Sequence, residues 1–133
     1  MKSFLLGGAV AAALIGLAGA ASAATPDNRL ASQSCFRTTD WQGWHAPNDK
    51  TLYLRVRMHD IYRLDLNFSS SMLTWPDSHL VNVVHGPDIV CSPIDLQLSV
   101  AQGTGIGRDF LMIKTITKLT PEEIAAIPKK DLP

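Results

Sequence analysis

Histidines are the first residues to consider for chemistry, because imidazole is both a common metal ligand and an acid–base group. The chain contains four of them: His45, His59, His79 and His85. None shows the spacing of a helical H-x-x-x-H motif, and on one strand the rings of His79 and His85 would lie roughly 20 Å apart. His59 and Asp60 fit a turn better than a catalytic pair. We therefore expect no metal site and no cofactor.

Nucleophiles and phosphate-binding loops give no stronger signal. The run Ser69-Ser70-Ser71 has no base at a recognisable spacing, and no G-x-S-x-G elbow occurs. The run Gly103 to Gly107 lacks the helix and lysine that follow a phosphate loop, so it predicts a loop between strands. The acidic residues are mostly isolated aspartates, and Glu122-Glu123 belongs to a helix start, so no glycosidase-like pair is indicated. The residues favour a non-enzymatic protein.

A candidate binding face is predicted on the outer side of one hairpin. It comprises Tyr53, Arg55, Arg57 and Arg63. Guanidinium groups suit an anion or a carboxylate-bearing partner, although a solvated face is the simpler interpretation. Trp41 and Trp44 have the flat rings that stack on sugars, but the three tryptophans of so small a chain are expected to anchor its core.

The N-terminus has the pattern of a secretory signal peptide, residues 1–23. Lys2 supplies a positive charge, Phe4 to Ala18 is uncharged and apolar, and Ala21-Ser22-Ala23 offers the small residues that a signal peptidase requires. An uncleaved anchor is disfavoured, because the run ends in small residues where a stop-transfer helix carries basic ones. We expect cleavage after Ala23 and a periplasmic or secreted product without a membrane span.

Export also determines how the cysteines and charges are interpreted. Cys35 and Cys91 are the only two cysteines, and an even count in an oxidising compartment predicts a disulfide. Removing 23 of the 133 residues leaves 110, enough for one small domain. Without Lys2 the chain has 11 basic and 12 acidic residues, so it lacks the positive charge of a nucleic-acid binder.

Period-two hydrophobicity predicts the strands that position these residues. Leu52 to Met58 and Tyr62 to Phe68 each alternate apolar with polar residues and together predict a hairpin. A two-residue loop would place the two apolar sets on opposite faces. A three-residue loop, His59 to Ile61, instead pairs Met58 with Tyr62 and Leu52 with Phe68 on the core face. It also places Arg55 opposite Asp65 and Asp60 in the left-handed conformation.

The rest of the chain predicts short strands and one helix. Strands are expected over Cys35 to Trp44, with a bulge at Gly43, and over four later segments: His79 to Val84, Ile89 to Ser92, Ile94 to Val100 and Arg108 to Lys118. Met72, Leu73 and Trp75 lie in a loop or single helical turn. Thr120-Pro121-Glu122-Glu123 has the residues of a capped helix start, and Pro128 ends the helix.

These elements predict a mainly β domain. We expect a small antiparallel barrel or sandwich of about six or seven short strands with one short C-terminal helix. The predicted organisation is a signal peptide over 1–23, a flexible leader over 24–34, the β domain over 35–119, and a C-terminal helix and tail over 120–133.

The chain resembles a family of small exported bacterial proteins classed as a domain of unknown function. The resemblance spans about Cys35 to Ile127 and rests on several short motifs: Cys35-Phe36-Arg37, Asn48-Asp49, Tyr62-Arg63-Leu64, Cys91 and Ile116 to Glu123. Similar chains often have four cysteines, and this one has Ser70 and Leu111 at the other two positions. The resemblance implies that those two cysteines pair with each other. It implies no activity and no site residue.

The residues thus favour an exported, non-enzymatic binding or envelope accessory domain, with an envelope protein or cell-wall component as partner. One alternative is a small protein inhibitor of a cell-wall hydrolase, although the Ser-Gly-x-x-Tyr loop of the best-known such inhibitors is missing. The other is an enzyme whose site is assembled from distant residues such as His45, His59 and Asp60.

Overall fold

The computed structural model describes residues 35–83, 85–103 and 107–133. The predicted signal peptide and leader, and most of the glycine-rich loop, lie outside these residues. The described residues form nine strands, which are β1 (Phe36–Arg37), β2 (Trp41–His45), β3 (Thr51–Val56), β4 (Asp60–Leu66), β5 (Ser78–Val83), β6 (Ile89–Val90), β7 (Gln97–Gln102), β8 (Arg108–Leu111) and β9 (Ile113–Lys118). One α-helix, α1 (Pro121–Ala126), follows, together with four short 3-10 turns, Thr38–Asp40, Ser71–Thr74, Pro93–Asp95 and Lys129–Asp131.

The strands form three antiparallel sheets among the described residues. The larger sheet has the order β2-β3-β4-β9, the second has the order β5-β7-β8, and β1 pairs with β6. Side chains of all three sheets meet in one hydrophobic core. The sheets do not close into a barrel, so the mainly β prediction is confirmed in its sandwich form. Breaks within predicted strands raise the number of strands above the expected six or seven.

The core follows the period-two pattern. Leu52, Leu54 and Val56 on β3 and Leu64 on β4 are each 0% exposed. Burial of such a side chain stabilises the folded state by about 1.5 to 3 kcal/mol. Facing residues of the second sheet complete the core, among them Leu98, Val100 and Leu111.

The predicted disulfide is confirmed. Cys35 and Cys91 are bonded, with their Cα atoms 4.3 Å apart. The bond lies beside the β1–β6 pair, in which Phe36 is opposite Val90. Both of those side chains are buried in the core, so each cysteine of the disulfide is next to a residue that is anchored in the core.

The hairpin register differs from the prediction. Leu54 lies opposite Tyr62, where the prediction placed Leu66, and the turn therefore comprises Arg57, Met58 and His59. The left-handed residue is Arg57, with φ 56°, not Asp60. The physical reason is that a displacement by an even number of residues keeps the same side chains on the core face, so alternation alone does not select the register.

Two predicted core residues and one predicted pair are therefore wrong. Met58 lies in the turn and is 73% exposed, and Phe68 lies beyond β4 and is 68% exposed. Arg55 lies opposite Ile61, whereas Asp65 lies opposite Thr51. The polar turn instead places Asp60 where its carboxylate pairs with Arg57 and Lys118, at 3.8 and 3.1 Å.

Two predicted strands are interrupted, and a third, Ile94 to Val100, is shortened at its start. The strand predicted over Cys35 to Trp44 contains a 3-10 turn and a bulge between Trp41 and Gly43. Pro93–Asp95 forms a turn between β6 and β7. The strand predicted over Arg108 to Lys118 divides at Met112: β8 pairs with β7 and β9 pairs with β4. One extended segment thus crosses from one sheet to the other.

The C-terminal helix forms as its sequence predicts. The Thr120 hydroxyl accepts a hydrogen bond from the backbone N–H of Glu123, and the Glu123 carboxylate accepts one from the N–H of Thr120. Pro121 occupies the first turn of the helix. Backbone N–H groups in this turn have no partner within the helix, so the proline, which has no N–H, costs no hydrogen bond there. The helix ends at Ala126, two residues before Pro128.

Candidate binding site

The predicted binding face does not assemble as one set of free cations. Tyr53 lies directly opposite Arg63, so both point away from the core, as does Arg55. The Arg63 guanidinium is 3.0 Å from the Asp65 carboxylate. Arg57 lies in the turn, where it pairs with Asp40 at 3.2 Å. Two of the three arginines are therefore already engaged by carboxylates.

The chain's own C-terminal segment reaches this face. His45 lies opposite Tyr53 and so points to the same side of the sheet. Its Nε2 atom is 3.5 Å from the Asp131 carboxylate. The N–H of Leu119 donates to the carbonyl of Ile61, whose outward side chain is only 3% exposed. The face is therefore partly covered.

The structure does not bring the histidines together. Among the described residues, no group of three or more His, Cys, Asp or Glu side chains has the geometry to hold a metal ion. His59 is exposed in the hairpin turn, whereas His79 and His85 are exposed near the two ends of β5. In the distant set His45, His59 and Asp60, His45 pairs with Asp131 of the C-terminal segment and Asp60 pairs with Arg57 of the turn. No hydrogen bond or ion pair joins these three described residues to one another.

The serine run is structural. Ser70 is 7% exposed, and its hydroxyl donates to the Asp109 carboxylate over 2.8 Å. This bond ties the loop after β4 to β8. Gly107, at the described end of the glycine-rich loop, has φ 92° and therefore requires a residue without a side chain.

A groove opens between the end of β2, the Ser71–Thr74 turn and the start of β5, and β2 and β5 are edge strands of the two main sheets. We call it the aromatic groove. Its volume is about 490 Å³, within the range of small-molecule sites. It is lined by Trp44, His45, Ala46, Pro47, Leu73, Thr74, Trp75 and Ser78.

Two separate segments supply the tryptophans. Trp44 lies opposite Leu54 on β3, so it points inward and packs against the core while also lining the groove. Trp75 ends the Ser71–Thr74 turn, where its N–H donates to the carbonyl of Met72, and it is 46% exposed. The buried Leu73 anchors this turn from below. The Trp44 side chain is therefore packed against the core, whereas Trp75 has its backbone held by the turn and its side chain half exposed.

Polar atoms of the groove are oriented by bonds to the same chain. The Ser78 hydroxyl donates to the carbonyl of Met72 over 2.6 Å, and the Thr74 hydroxyl donates to the carbonyl of Ser71 over 3.0 Å. A hydroxyl whose proton is engaged still offers its oxygen as an acceptor. His45 is held at its Nε2 atom by Asp131. The groove thus combines aromatic walls with positioned acceptors.

A second groove lies at the opposite edge of the sandwich, where the chain crosses between sheets. We call it the apolar groove. Its volume is about 460 Å³, and it is lined by Pro93, Ile94, Leu96, Gln97, Leu98, Phe110, Leu111, Met112 and Ile113. Ile94 and Phe110 are 85% and 77% exposed. Hydrogen bonds from the N–H groups of Cys91 and Ser92 and from the Ser92 hydroxyl hold the pKa of the neighbouring Asp95 carboxyl below its usual value.

Sequence reasoning weighed Trp41 and Trp44 as sugar-stacking residues and assigned both to the core. Both pack against the core, but only Trp44 also lines the aromatic groove. The sequence predicts Trp75 as part of a loop or single helical turn and does not predict its place in the groove. Its only signal is a tryptophan directly before Pro76, outside every alternating run.

No protein-family model, curated protein or solved structure matches the chain. Among the described residues, no helix is long and apolar enough to cross a membrane. The function is therefore argued from the geometry of the aromatic groove and from the chemistry of its walls.

Proposed function

We propose that this chain is an exported, non-enzymatic binding domain of the cell envelope, and that the aromatic groove holds its ligand. The observation that carries the proposal is the convergence of Trp44 and Trp75 with three polar side chains in one groove of about 490 Å³. Binding sites typically combine apolar and aromatic walls with a few positioned polar groups.

Export is supported by two features. The first 23 residues have the charge, the apolar run and the small residues of a cleavable signal peptide. The Cys35–Cys91 disulfide belongs to an oxidising compartment such as the periplasm. The resemblance to small exported bacterial proteins agrees with a location outside the cytoplasm. Similar chains have further cysteines at the positions of Ser70 and Leu111. Ser70 donates a hydrogen bond to Asp109, and Asp109 lies on the same face of β8 as Leu111, so the two positions lie in one region of the fold.

A non-enzymatic role is supported by the hydrogen bonds in the groove. An activated serine or threonine nucleophile donates its proton to a base such as histidine. Here the Ser78 and Thr74 hydroxyls donate to backbone carbonyls, which accept hydrogen bonds but do not act as bases. The same hydroxyls are well suited to hold a ligand in a fixed orientation.

Site-specific photo-cross-linking in a Gram-negative host tests the proposal. The full chain is expressed with its signal, and a photoreactive amino acid replaces Trp75 in one variant and Met112, in the apolar groove, in a matched control. We expect the chain in the periplasmic fraction without residues 1–23, and an envelope adduct from position 75 only. Retention in the cytoplasm, or adducts from position 112 alone, would overturn the proposal. An adduct with a cell-wall hydrolase would instead favour the inhibitor alternative.

A further inference from the structure

The walls of the aromatic groove are matched to a ligand that has flat apolar faces. Trp44 and Trp75 come from different segments and line the same groove, so a ligand meets two indole rings. An indole ring is a broad surface with a negative face that attracts weakly positive C–H groups. A pyranose ring has axial C–H groups on its faces and hydroxyls around its rim. Trp75, at 46% exposure, is available for such stacking.

The polar atoms of the groove are matched to a ligand that brings its own donors. The hydroxyl protons of Thr74 and Ser78 are engaged by backbone carbonyls, so both oxygens are left as acceptors. The Nε2 atom of His45 is engaged by Asp131, which fixes the ring between β2 and the C-terminal segment. Sugar hydroxyls donate to acceptors such as the Thr74 and Ser78 oxygens, and they surround the apolar ring faces that stack on tryptophan.

The charge of the groove excludes other ligand classes. Among the residues that the structure describes, its lining includes no lysine, arginine, aspartate or glutamate, and the imidazole of His45 is paired with Asp131, so a phosphate or carboxylate ligand would find no unpaired cation. A lipid chain would suit the apolar groove better, because that lining is dominated by aliphatic side chains. A neutral, hydroxyl-rich ligand is the class that remains.

The position of the groove favours a chain over a small enclosed molecule. It lies between β2 and β5, which are edge strands of two different sheets. A groove along the side of a sandwich admits a polymer from the side, whereas an enclosed pocket admits only an end. An exported domain meets such polymers in the cell envelope.

From these observations we propose that the aromatic groove binds a neutral saccharide chain of the cell envelope through stacking on Trp44 and Trp75. This inference rests on the proposed function and names its ligand class. Trp75 is the stacking residue nearest to solvent, and the hydroxyls of Thr74 and Ser78 fix the orientation of the saccharide by hydrogen bonds.

Titration calorimetry of the purified exported protein tests the inference. The probes are soluble oligomers of N-acetylglucosamine, of β-linked glucose and of α-linked glucose, with polygalacturonate as an acidic control. We expect at least one neutral oligomer to bind and the acidic polymer not to bind. Trp75→Ala should weaken binding about 5- to 150-fold, because stacking of a flat ring on one aromatic side chain is worth roughly 1–3 kcal/mol and 1.4 kcal/mol is a factor of ten.

Two further variants keep the test independent of folding. Trp75→Tyr retains a ring and should lose less affinity than Trp75→Ala. Trp41→Phe is the matched control, because Trp41 packs against the core and lies outside the groove, so its affinity should equal that of the unchanged protein. Equal affinity of the Trp75→Ala variant, or binding by none of the neutral oligomers, would overturn the inference.

The two proposals fail in distinguishable ways. If the photo-cross-linker at position 75 captures an envelope component but no neutral oligomer binds, the groove is the site and the ligand class is wrong. If a peptide is captured, main-chain pairing with the free edge of β2 replaces stacking as the mode of binding. If no adduct forms at position 75 while an oligomer binds with full affinity to Trp75→Ala, both proposals are wrong.

Discussion

The two long edges of the sandwich are built in opposite ways. At one edge, β8 continues through Met112 into β9, so a single segment joins the two main sheets. At the other, β2 and β5 end their sheets without pairing to each other, and the aromatic groove opens beside the end of β2 and the start of β5. The groove at the joined edge is lined mainly by apolar side chains, whereas the groove at the open edge combines two tryptophans with hydrogen-bonding groups.

Substitutions at the joined edge should have the largest effect on folding. Leu111 is 6% exposed and lies opposite Leu98. Leu111→Asp would bury a carboxylate without a partner, at a cost of several kcal/mol, which is comparable to the whole stability of a small domain. We expect this variant to be unfolded by circular dichroism. Trp75→Asp at the open edge should remain folded, with a loss of about 1 to 2 kcal/mol. Equal losses would mean that the two edges are not built differently.

The disulfide should affect stability without affecting the groove. Cys91→Ser should lower the free energy of unfolding by about 2 to 5 kcal/mol, because the bond no longer restricts the unfolded chain. Denaturant melts measure this loss. Below its melting temperature the variant should bind a neutral saccharide with unchanged affinity, since the aromatic groove is made by β2, β5 and the Ser71–Thr74 turn. A loss of affinity in the folded variant would show that the β1–β6 pair supports the groove.

Acid should act on the two edges differently. The pKa of Asp95 is lowered by three hydrogen bonds that it accepts in the folded state. Its contribution to stability is therefore present above the unfolded pKa of 3.8 and is lost as the pH falls through the lower, folded pKa. Methyl resonances of Ile94 should shift in that window before those of Leu73 beneath the aromatic groove. Asp95→Asn should abolish the difference, and simultaneous shifts in the unchanged protein would contradict the assignment.

The smallest effect is expected for the exposed side chains of the apolar groove. Phe110→Ser should change stability by no more than about 0.5 kcal/mol, because this ring is 77% exposed. Binding of a hydrophobic dye should nevertheless fall, since the largest ring of the apolar groove is lost. A clear drop in melting temperature would instead show that Phe110 packs against the core.

Patterns local to one segment were predictable from the sequence. The capped start of α1 depends on Thr120, Pro121 and Glu123 alone, and it forms as expected. The buried face of β3 and β4 was predictable because alternation fixes which side chains face the core. The disulfide was predictable because only two cysteines are present.

Features set by contacts between distant segments were not predictable. The hairpin register depends on the turn and on the ion pairs of Asp60, and an even displacement leaves the alternation unchanged. The division of the last strand at Met112 depends on which sheet lies on each side. The aromatic groove requires Trp44 on β2 and Trp75 after the Ser71–Thr74 turn to line one groove, and no spacing in the sequence expresses that arrangement.

The central claim is that ligand binds at the open edge of the sandwich, in the aromatic groove. The three tryptophans allow a direct measurement, because each indole N–H gives its own nuclear magnetic resonance signal. During titration with a neutral saccharide oligomer, we predict saturable shifts of the Trp75 and Trp44 signals. The Trp41 signal should stay in place, because its N–H donates to the carbonyl of Gly43 outside the groove. Shifts confined to Trp41, or to the methyl groups of Ile94 and Met112 at the joined edge, would contradict the claim.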